Sequence, residues 1–472
     1  MEEPALNGAL PYEDYPPVKN LKQARSVLWT ETVKMWKIAG PVVFNLLCLY
    51  GTNSFTNIFV GHIGEIELSS AAISLSVIGT FSFGLLLGMG SALETLCGQA
   101  FGAGHVHMLG VYMQRSWLIL WVTCIFLLPI YLFSAPILKL LGQDDEIAKL
   151  AGKFTILTIP QLFSLAISFP TQKFLQAQSK VSAFALIGFV ALILHIVLLY
   201  VFIYAFGWGM AGAAIAYDIS SWIISIAQVI YVIGWCKDGW HGLTWAAFTD
   251  IWAFVRLSLA SAVMLCLEIW YMTSIIILTG HLDNAIIAVG SLSICVRVSN
   301  ELGMGRPRAA KYSVYVTVFQ SLLIGLLFMI IILLTKDYFA IIFTSSKELQ
   351  RAVSKIAFLL GITMVLNSVQ PVLSGVAIGG GWQALVAYIN IGSYYIFGLP
   401  LGYLLGYRAK LGVTVCIHTL LYDSNVWNVA MQLIYVLQLC VEVIFLVLGQ
   451  GTLVRHDMRN CITNIAAVDS AL

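Results

Sequence analysis

The chain has 472 residues, of which 60% are hydrophobic and only 10% are charged, and its mean hydropathy is +0.89. Soluble domains carry about a quarter charged residues, so this composition excludes an ordinary soluble protein and predicts an integral membrane protein. The net charge of +2 points to no particular partner. The nine cysteines show no paired spacing, which argues against a zinc site or a disulfide framework.

The polar start of the chain lacks the pattern of a secretory signal peptide. We predict that residues 1–35 form a mobile cytoplasmic tail and that membrane insertion begins with the first apolar helix.

Eleven apolar stretches are long enough for a helix to cross a bilayer, which requires about 20 residues. A shorter apolar segment, residues 285–296, lies between the seventh and the eighth and makes a nominal twelfth. The eleven are 38–60, 68–93, 116–138, 154–172, 181–206, 210–234, 254–279, 313–335, 353–373, 384–406 and 429–448.

The two halves of the chain repeat each other. Pro170 of "PTQKFLQAQS" and Pro371 of "PVLSGVAIGG" lie 201 positions apart, as do Cys97 of "CGQAFGAG" and Val298 of "VSNELGMG". Upstream, the glycines of "FVGHIG" and "LTGHLD" lie 219 positions apart, so the second half lacks about 18 residues near 285–296. Such internal repetition is typical of transporters, in which two bundles flank a central site.

An even number of spans in each half makes the repeats parallel. We therefore predict an all-α polytopic fold of two six-helix lobes, with substrate between them and the eighth helix truncated. The predicted units are a tail (1–35), a first lobe (36–234), a linker (235–250), a second lobe (251–450) and a C-terminal tail (451–472). With a cytoplasmic N-terminus, 16 of the 25 basic residues lie inside, but this count is the same whether or not 285–296 crosses the membrane.

Four motifs in order resemble the plant branch, the DETOXIFICATION proteins, of the multidrug and toxic compound extrusion (MATE) family. They are "SALETLCGQAFGAG", "FPTQKFLQAQ", "RVSNELGMGRPRAAK" and "VLSGVAIGGGWQ". The resemblance covers residues 25–413 and implies twelve helices, no enzymatic activity, and antiport of organic compounds such as flavonoids or alkaloids. It implies protons as the coupling ion in preference to sodium, and a vacuolar or plasma membrane location.

The chain departs from this family in three places. "GSLSIC" joins "VRVSNELG" directly, where the family has a full eighth helix, and "TVCIHTLLYDSNVWNVAMQ" does not resemble the family's last helix. Asn367 stands where many members have a carboxylate.

Glu268 has at least ten mostly apolar residues on each side, which places it near the middle of the membrane. Burial disfavours an ionised carboxylate, so such a group can take up a proton on one side and release it on the other. The resemblance also places a proton-site glutamate in this helix. The alternative is a glutamate that is hydrogen-bonded inside the bundle without a transport role.

Several polar residues are candidates for the wall of a substrate cavity. Asn367, Gln370 and Pro371 share one helix face, and Asn367 is a predicted hydrogen-bond donor to Glu268. Asn45, Pro170, Gln172 and Gln176 are the candidates in the first half, although the Pro170 cluster could equally be a cytoplasmic helix end that carries Lys173. Trp270 and Tyr271 could stack on planar substrates or pack between helices.

The remaining candidates lie at the turns that follow the second span of each half. The turn residues are Cys97, Gly98, Gln99, Gly102, Gly104, Arg297, Asn300, Glu301 and Gly303. We predict tight turns with positive φ at Gly102, Gly104, Gly303 and Gly305. Glu94 is expected to be solvated or bonded to a loop, and Asp218 has no evident partner.

The sequence thus favours a proton-coupled antiporter of organic compounds that acts as a monomer in the lipid bilayer, without cofactor, metal or nucleic acid. The alternative is a non-transporting form of such a protein, from a variant transcript or a faulty gene model, because the truncated eighth helix leaves the second lobe incomplete.

Overall fold

The computed structural model describes residues 14–249, 251–279, 297–336, 338, 347–398 and 400, and all regular structure in these ranges is helical. The first half contains α1 Leu21–Gly61, α2 Glu65–Ile73, α3 Thr80–Gly102, α4 Met108–Leu132, α5 Ser134–Leu140, α6 Asp145–Leu157, α7 Ile159–Ala177, α8 Val181–Tyr200 and α9 Gly209–Trp235. The second half contains α10 Ile251–Thr279, α11 (297–303), α12 Pro307–Thr335, α13 Lys347–Gly379 and α14 Gln383–Asn390.

Short π-helical turns continue three of these helices. Ser74–Gly79 joins α2 to α3, Val201–Ala205 extends α8, and Ile391–Gly398 extends α14. Among the described residues, seven helical segments are long and apolar enough to cross a bilayer, and the bent pair α6 and α7 makes eight. The prediction of an all-helical, multi-pass membrane protein is confirmed. The short segment 285–296 and the last predicted span, 429–448, lie outside the described residues.

The prediction that residues 1–35 form a mobile tail is wrong for residues 21–35, because α1 already begins at Leu21. No glycine or proline interrupts the chain from Leu21 to Ile38, so nothing stops the helix from extending beyond the bilayer. Hydropathy locates the membrane-spanning part of a helix and misses such an extension.

Proline positions explain the bend between α6 and α7. Pro160 stands in the first turn of α7, where an N–H would have no partner within the helix, but a proline here cannot continue the hydrogen bonding of α6. The two helices meet at 48°. Two side chains of α9 satisfy backbone groups at this break. Asp218 accepts from the Gln161 N–H at 3.1 Å, and the Trp222 indole donates to the Pro160 carbonyl at 3.0 Å. Asp218 therefore has a structural partner in the main chain.

The linker between the lobes is held firmly against α4. The Gln114 amide donates to the Gly242 carbonyl at 3.0 Å and accepts from the Thr244 N–H at 2.9 Å. Arg115 donates to the Ala246 carbonyl at 3.0 Å. Residues 236–249 are therefore packed as part of the first lobe. The second lobe begins with α10.

The two lobes meet along α3 and α10, which run antiparallel. Gly88 lies against the backbone of Ala262, and Gly84 leaves room for the Ile269 side chain. The main hydrophobic core extends from α3, α4 and α7 to this contact, and includes Leu93, Leu120 and Phe174.

Candidate functional site

Glu268 lies in α10, and its carboxyl group lies beside the Gln370 side chain of α13. Gln370 is buried and also donates to the Ser374 hydroxyl at 3.2 Å. The neighbouring carbonyl of Leu267 accepts from the Tyr395 hydroxyl at 3.1 Å. Three helical segments of the second lobe therefore converge on the acid.

The amide that lies beside Glu268 is that of Gln370, one turn beyond the predicted Asn367. Asn367 is also buried, on the same side of α13, and Pro371 lies within the helix. Asn367, Gln370 and Pro371 therefore share one face of α13, as their spacing predicts. The sequence could not choose the donor, because both amides have the same chemistry and the choice depends on the rotation of α13 against α10.

Trp270 takes part in packing between the lobes. Its ring stacks on Phe81 of α3, with ring centroids 5.1 Å apart and an interplanar angle of 3°. This contact adds to the antiparallel packing of α3 and α10. The Tyr271 side chain lies outside the described residues.

The first lobe contains a buried ion pair at Lys173, the residue for which the sequence also allowed a position at a cytoplasmic helix end. Lys173 of α7 donates to Glu94 of α3 at 2.5 Å, and both residues are at most 4% exposed. The expectation that Glu94 is solvated or bonded to a loop is therefore wrong. Lys173 is an internal partner rather than the mark of a cytoplasmic helix end, because α3 continues to Gly102 and covers it.

Pro170 and Gln176 are buried near this pair on α7. Gln172 donates to the Ser168 hydroxyl at 2.9 Å, and Ser168 in turn donates to Gln228 of α9 at 3.0 Å. Asn45 lies against Gly188, within the contact between α1 and α8. The structure therefore places these candidates on contacts within the first lobe, apart from Glu268.

The turns that follow α3 and α11 share the same geometry. Gly104 and Gly305 both have positive φ, +84° and +69°. The His105 N–H bonds to the Ala100 carbonyl and the Arg306 N–H to the Glu301 carbonyl, each at 2.9 Å. Every one of these pairs of positions is separated by 201 residues.

Gly102 and Gly303 have a different reason to be glycine. Both have ordinary φ, so the predicted left-handed turn is wrong at these two positions. A Cβ at Gly102 would collide with the Asn300 carbonyl, and one at Gly303 would collide with the Gln99 carbonyl. Because both glycines and both carbonyls are related by the 201-residue offset, α3 and α11 cross reciprocally about a pseudo-twofold axis.

The other turn residues extend this crossing. Gly98 lies against Ser299, and the Asn300 amide donates to the Ala177 carbonyl of α7 at 3.2 Å. Cys97 is completely buried. These motif residues hold the two lobes together at one end of the bundle.

The same end carries a network of charged residues, and we call it the basic end because Lys34, Arg297, Arg306 and Arg308 lie there. Arg297 binds both carboxylate oxygens of the buried Glu31, at 3.1 Å each, and also pairs with Glu301. Lys34 donates to Glu31 at 3.1 Å. The ion pair of Glu31 with Arg297 joins α1 of the first lobe to α11 of the second.

The sequence alone did not single out Glu31. It lies in the part of α1 before the apolar stretch, and its partner is 266 residues away. A polar residue in a helical extension, opposite the basic motif "RVSNELG", is the only signal that could have indicated it.

Within the part of the chain that the structure describes, no group of three or more His, Cys, Asp or Glu side chains could hold a metal ion. Among the described residues, the second lobe therefore offers Glu268 beside an amide, and the first lobe offers Glu94 neutralised by Lys173 and Asp218 bonded to the main chain. The two lobes make a closed contact at the basic end. These are properties expected of a transport protein with two moving lobes.

Known proteins agree with that class. The MatE family model matches residues 41–201 and 290–404, and the chain belongs to this family of membrane transporters. Protein DETOXIFICATION 35 of Arabidopsis thaliana is 67% identical, over 88% of this chain and 92% of that protein. Protein DETOXIFICATION 34 of the same plant is 63% identical, over 85% of this chain and 77% of that protein.

The fold is also similar to a solved structure. The crystal structure of the eukaryotic MATE transporter AtDTX14 superimposes with a TM-score of 0.82 at 30% identity, over 93% of this chain and all of that one. The prediction of a non-enzymatic MATE transporter of the DETOXIFICATION type is confirmed by these relatives.

Proposed function

We propose that this protein exports organic compounds, xenobiotics or secondary metabolites such as flavonoids or alkaloids, in exchange for protons. The carrying observation is the placement of Glu268 at the middle of α10 with a neutral amide partner. A carboxylate in such a place is stable when it is protonated or when it binds a cation. Protons are the proposed coupling ion, with sodium the less favoured choice.

The exchange would follow from the two lobes moving about their pseudo-twofold axis. The basic end, which we propose faces the cytoplasm, is closed by the crossing of Gly102 with Gly303 and by the ion pair of Glu31 with Arg297. In this closed arrangement Glu268 would exchange protons with the opposite side. When the basic end opens, the acid would exchange with the cytoplasm, and substrate would bind between the lobes.

The chemistry of the two protonation states supplies the coupling. A protonated Glu268 is neutral and can be covered by the surrounding helices at low cost. An ionised Glu268 needs water, a cation or a donor, and Gln370 provides one donor. An organic substrate that binds between the two lobes would change the surroundings of Glu268 and so compete with the binding of a proton there. We propose a monomer as the working unit and the vacuolar or plasma membrane as its location.

The test is pH-gradient-driven transport in proteoliposomes, with fluorescent organic cations and flavonoid glycosides as probes. Wild-type protein should move at least one probe in response to the gradient. Glu268→Gln should reduce the gradient-driven rate at least tenfold, because an amide cannot carry a proton. Glu65→Gln makes the same chemical change at an exposed site of α2 and should leave the rate unchanged. Undiminished transport by Glu268→Gln would overturn its role.

The alternative is a non-transporting form of a MATE transporter. It is favoured by the 18-residue deficit in the second repeat and by the family model, whose second match begins only at residue 290. Wild-type protein that is folded in the membrane but moves no probe under any gradient would support this alternative. Sequencing the transcript across the codons for Cys295 and Val296 would decide whether the deficit belongs to the expressed chain.

A further inference from the structure

Residues 14–18, which precede α1, bridge the two lobes at the basic end. The Asp14 carboxylate accepts the backbone N–H groups of Arg308 and Ala309, at 3.0 Å each, at the start of α12. Val18 donates its N–H to the Tyr312 hydroxyl at 3.1 Å. The chain then enters α1 of the first lobe, so this segment crosses from one lobe to the other. We call residues 14–18 the strap.

Asp14 acts as a helix cap supplied from elsewhere in the chain. Arg306, which precedes α12, provides no side-chain cap of its own. The first N–H groups of a helix lack partners within the helix, and a carboxylate there is favoured by both hydrogen bonding and the helix dipole. The first turn of α12 is therefore held by the strap rather than by its own residues.

Tyr15 connects the strap to the ion pair that joins the lobes. Its hydroxyl donates to Glu31 Oε1 at 2.8 Å and accepts from Lys34 Nζ at 2.8 Å. Its ring lies 6.1 Å from that of Tyr312 in α12, and its carbonyl accepts from Arg308 at 3.4 Å. One residue thus contacts α1, α12 and the carboxylate that binds Arg297.

The position of Glu31 shows why these contacts matter. Its side chain is completely buried and accepts from Arg297, Lys34 and Tyr15. A buried carboxylate requires all its hydrogen bonds to be satisfied, and the bidentate contact with Arg297 depends on the orientation of that carboxylate. Tyr15 and Lys34 both bind Glu31 Oε1, an oxygen that Arg297 also contacts, and so help to fix this orientation.

We infer that Asp14 and Tyr15 are positioning residues of the transport cycle, which hold the basic end closed by orienting Glu31 toward Arg297 and by fastening α12 to the start of α1. The inference rests on the proposed function, since it assigns the strap to the closing step of that exchange. When the lobes separate at the basic end, the strap must release either α12 or Glu31. The strap therefore sets how often the basic end opens.

The test measures how accessible the closed contact is, without measuring transport. Ser299→Cys places a thiol at a completely buried position opposite Gly98, between the two lobes. A membrane-impermeant maleimide applied from the basic-end side labels it only when this end opens. Labelling is read peptide by peptide by mass spectrometry in proteoliposomes. The native Cys124, which is fully buried in the core of the first lobe, reports unfolding.

In this background, Tyr15→Phe removes the hydroxyl and keeps the ring, and Asp14→Ala removes the cap. Each should raise the labelling rate of Cys at position 299 several-fold, and the double variant about tenfold or more, because each variant removes hydrogen bonds that involve a charged group. Asp14→Asn should label at a rate between the parent and Asp14→Ala, because asparagine keeps only one of the two acceptor oxygens that bind Arg308 and Ala309. Tyr204→Phe is the matched control, at an exposed tyrosine in the π-helical turn that follows α8. It should leave the labelling rate at position 299 unchanged.

Unchanged labelling at position 299 in Tyr15→Phe and Asp14→Ala would overturn the inference. An equal rise at Cys124 would also overturn it, because the strap would then only stabilise the fold. Since labelling requires neither a proton gradient nor a substrate, a failure of proton coupling in the Glu268 experiment would leave this result readable. In active protein, the strap variants should change the maximal transport rate. The substrate concentration at half-maximal transport should change with it, following the increase in opening.

Discussion

Glu94 of the first lobe and Glu268 of the second lobe are acids inside the bundle with opposite kinds of partner. In the first lobe, Glu94 of α3 is paired with Lys173 of α7, and the pair is neutral overall. In the second lobe, Glu268 of α10 is met by Gln370 of α13, which carries no charge. The repeat relates α7 to α13, and the position equivalent to Lys173 is Ser374, which accepts a hydrogen bond from the same Gln370.

This difference assigns distinct roles to lobes of similar architecture. An acid that keeps a lysine partner stays ionised and holds two helices together. An acid with only an amide partner can lose or gain a proton as its surroundings change. We therefore propose that the ion pair of the first lobe is structural and that Glu268 of the second lobe carries the proton.

The largest effect is expected from making the second lobe resemble the first. Ser374→Lys should place an ammonium group near Glu268, because Gln370 already contacts both side chains. Glu268 would then stay ionised, and gradient-driven transport should fall at least tenfold. Ser374→Met, of similar length and without charge, is the control and should retain transport. Full proton-driven activity in Ser374→Lys would contradict the comparison.

The next effect comes from making the first lobe resemble the second. Lys173→Met leaves Glu94 buried without its partner, and removing one member of a buried ion pair costs about 3–5 kcal/mol. The variant should lose thermal stability in detergent or nanodiscs, and adding Glu94→Gln to it should recover much of the loss. If Lys173→Met were as stable as wild type, the pair could not be a structural element of the first lobe.

The smallest effect is expected from Gln370. Gln370→Met removes the amide beside the Glu268 carboxyl. Without this polar partner the pH profile of transport should shift. The pH profile of initial rates measures this shift, and Gln172→Met in the related helix α7 should leave the profile in place.

Sequence patterns predicted those features that depend on periodicity and on internal repetition. Long apolar stretches predicted the helices, and the 201-residue offset predicted the matching turns at Gly104 and Gly305. Glu268 could be singled out because a lone acid in an apolar stretch is costly. These features follow from the local chain and the surrounding solvent.

The remaining features depend on how distant helices are rotated and placed. The pairing of Glu94 with Lys173 joins residues 79 positions apart, and Glu31 meets Arg297 across 266 positions. Gly102 and Gly303 are glycines because another backbone passes beside them, which no local turn pattern reveals. The choice of Gln370 over Asn367 is a matter of one helical turn.

Infrared difference spectroscopy of the liposome-reconstituted protein tests the central claim most directly, since it detects protonated carboxyl groups without any substrate. As pH rises, a carbonyl band of a protonated acid should disappear in wild-type protein, and the component that belongs to Glu268 should be absent from Glu268→Gln. Asp218→Asn identifies any component that comes from the other buried acid without a cation partner. In Glu94→Gln this band should behave as in wild type, because the proposal assigns Glu94 to an ion pair with Lys173. A band that survives in Glu268→Gln and is lost in Glu94→Gln would contradict the assignment of the proton carrier to the second lobe.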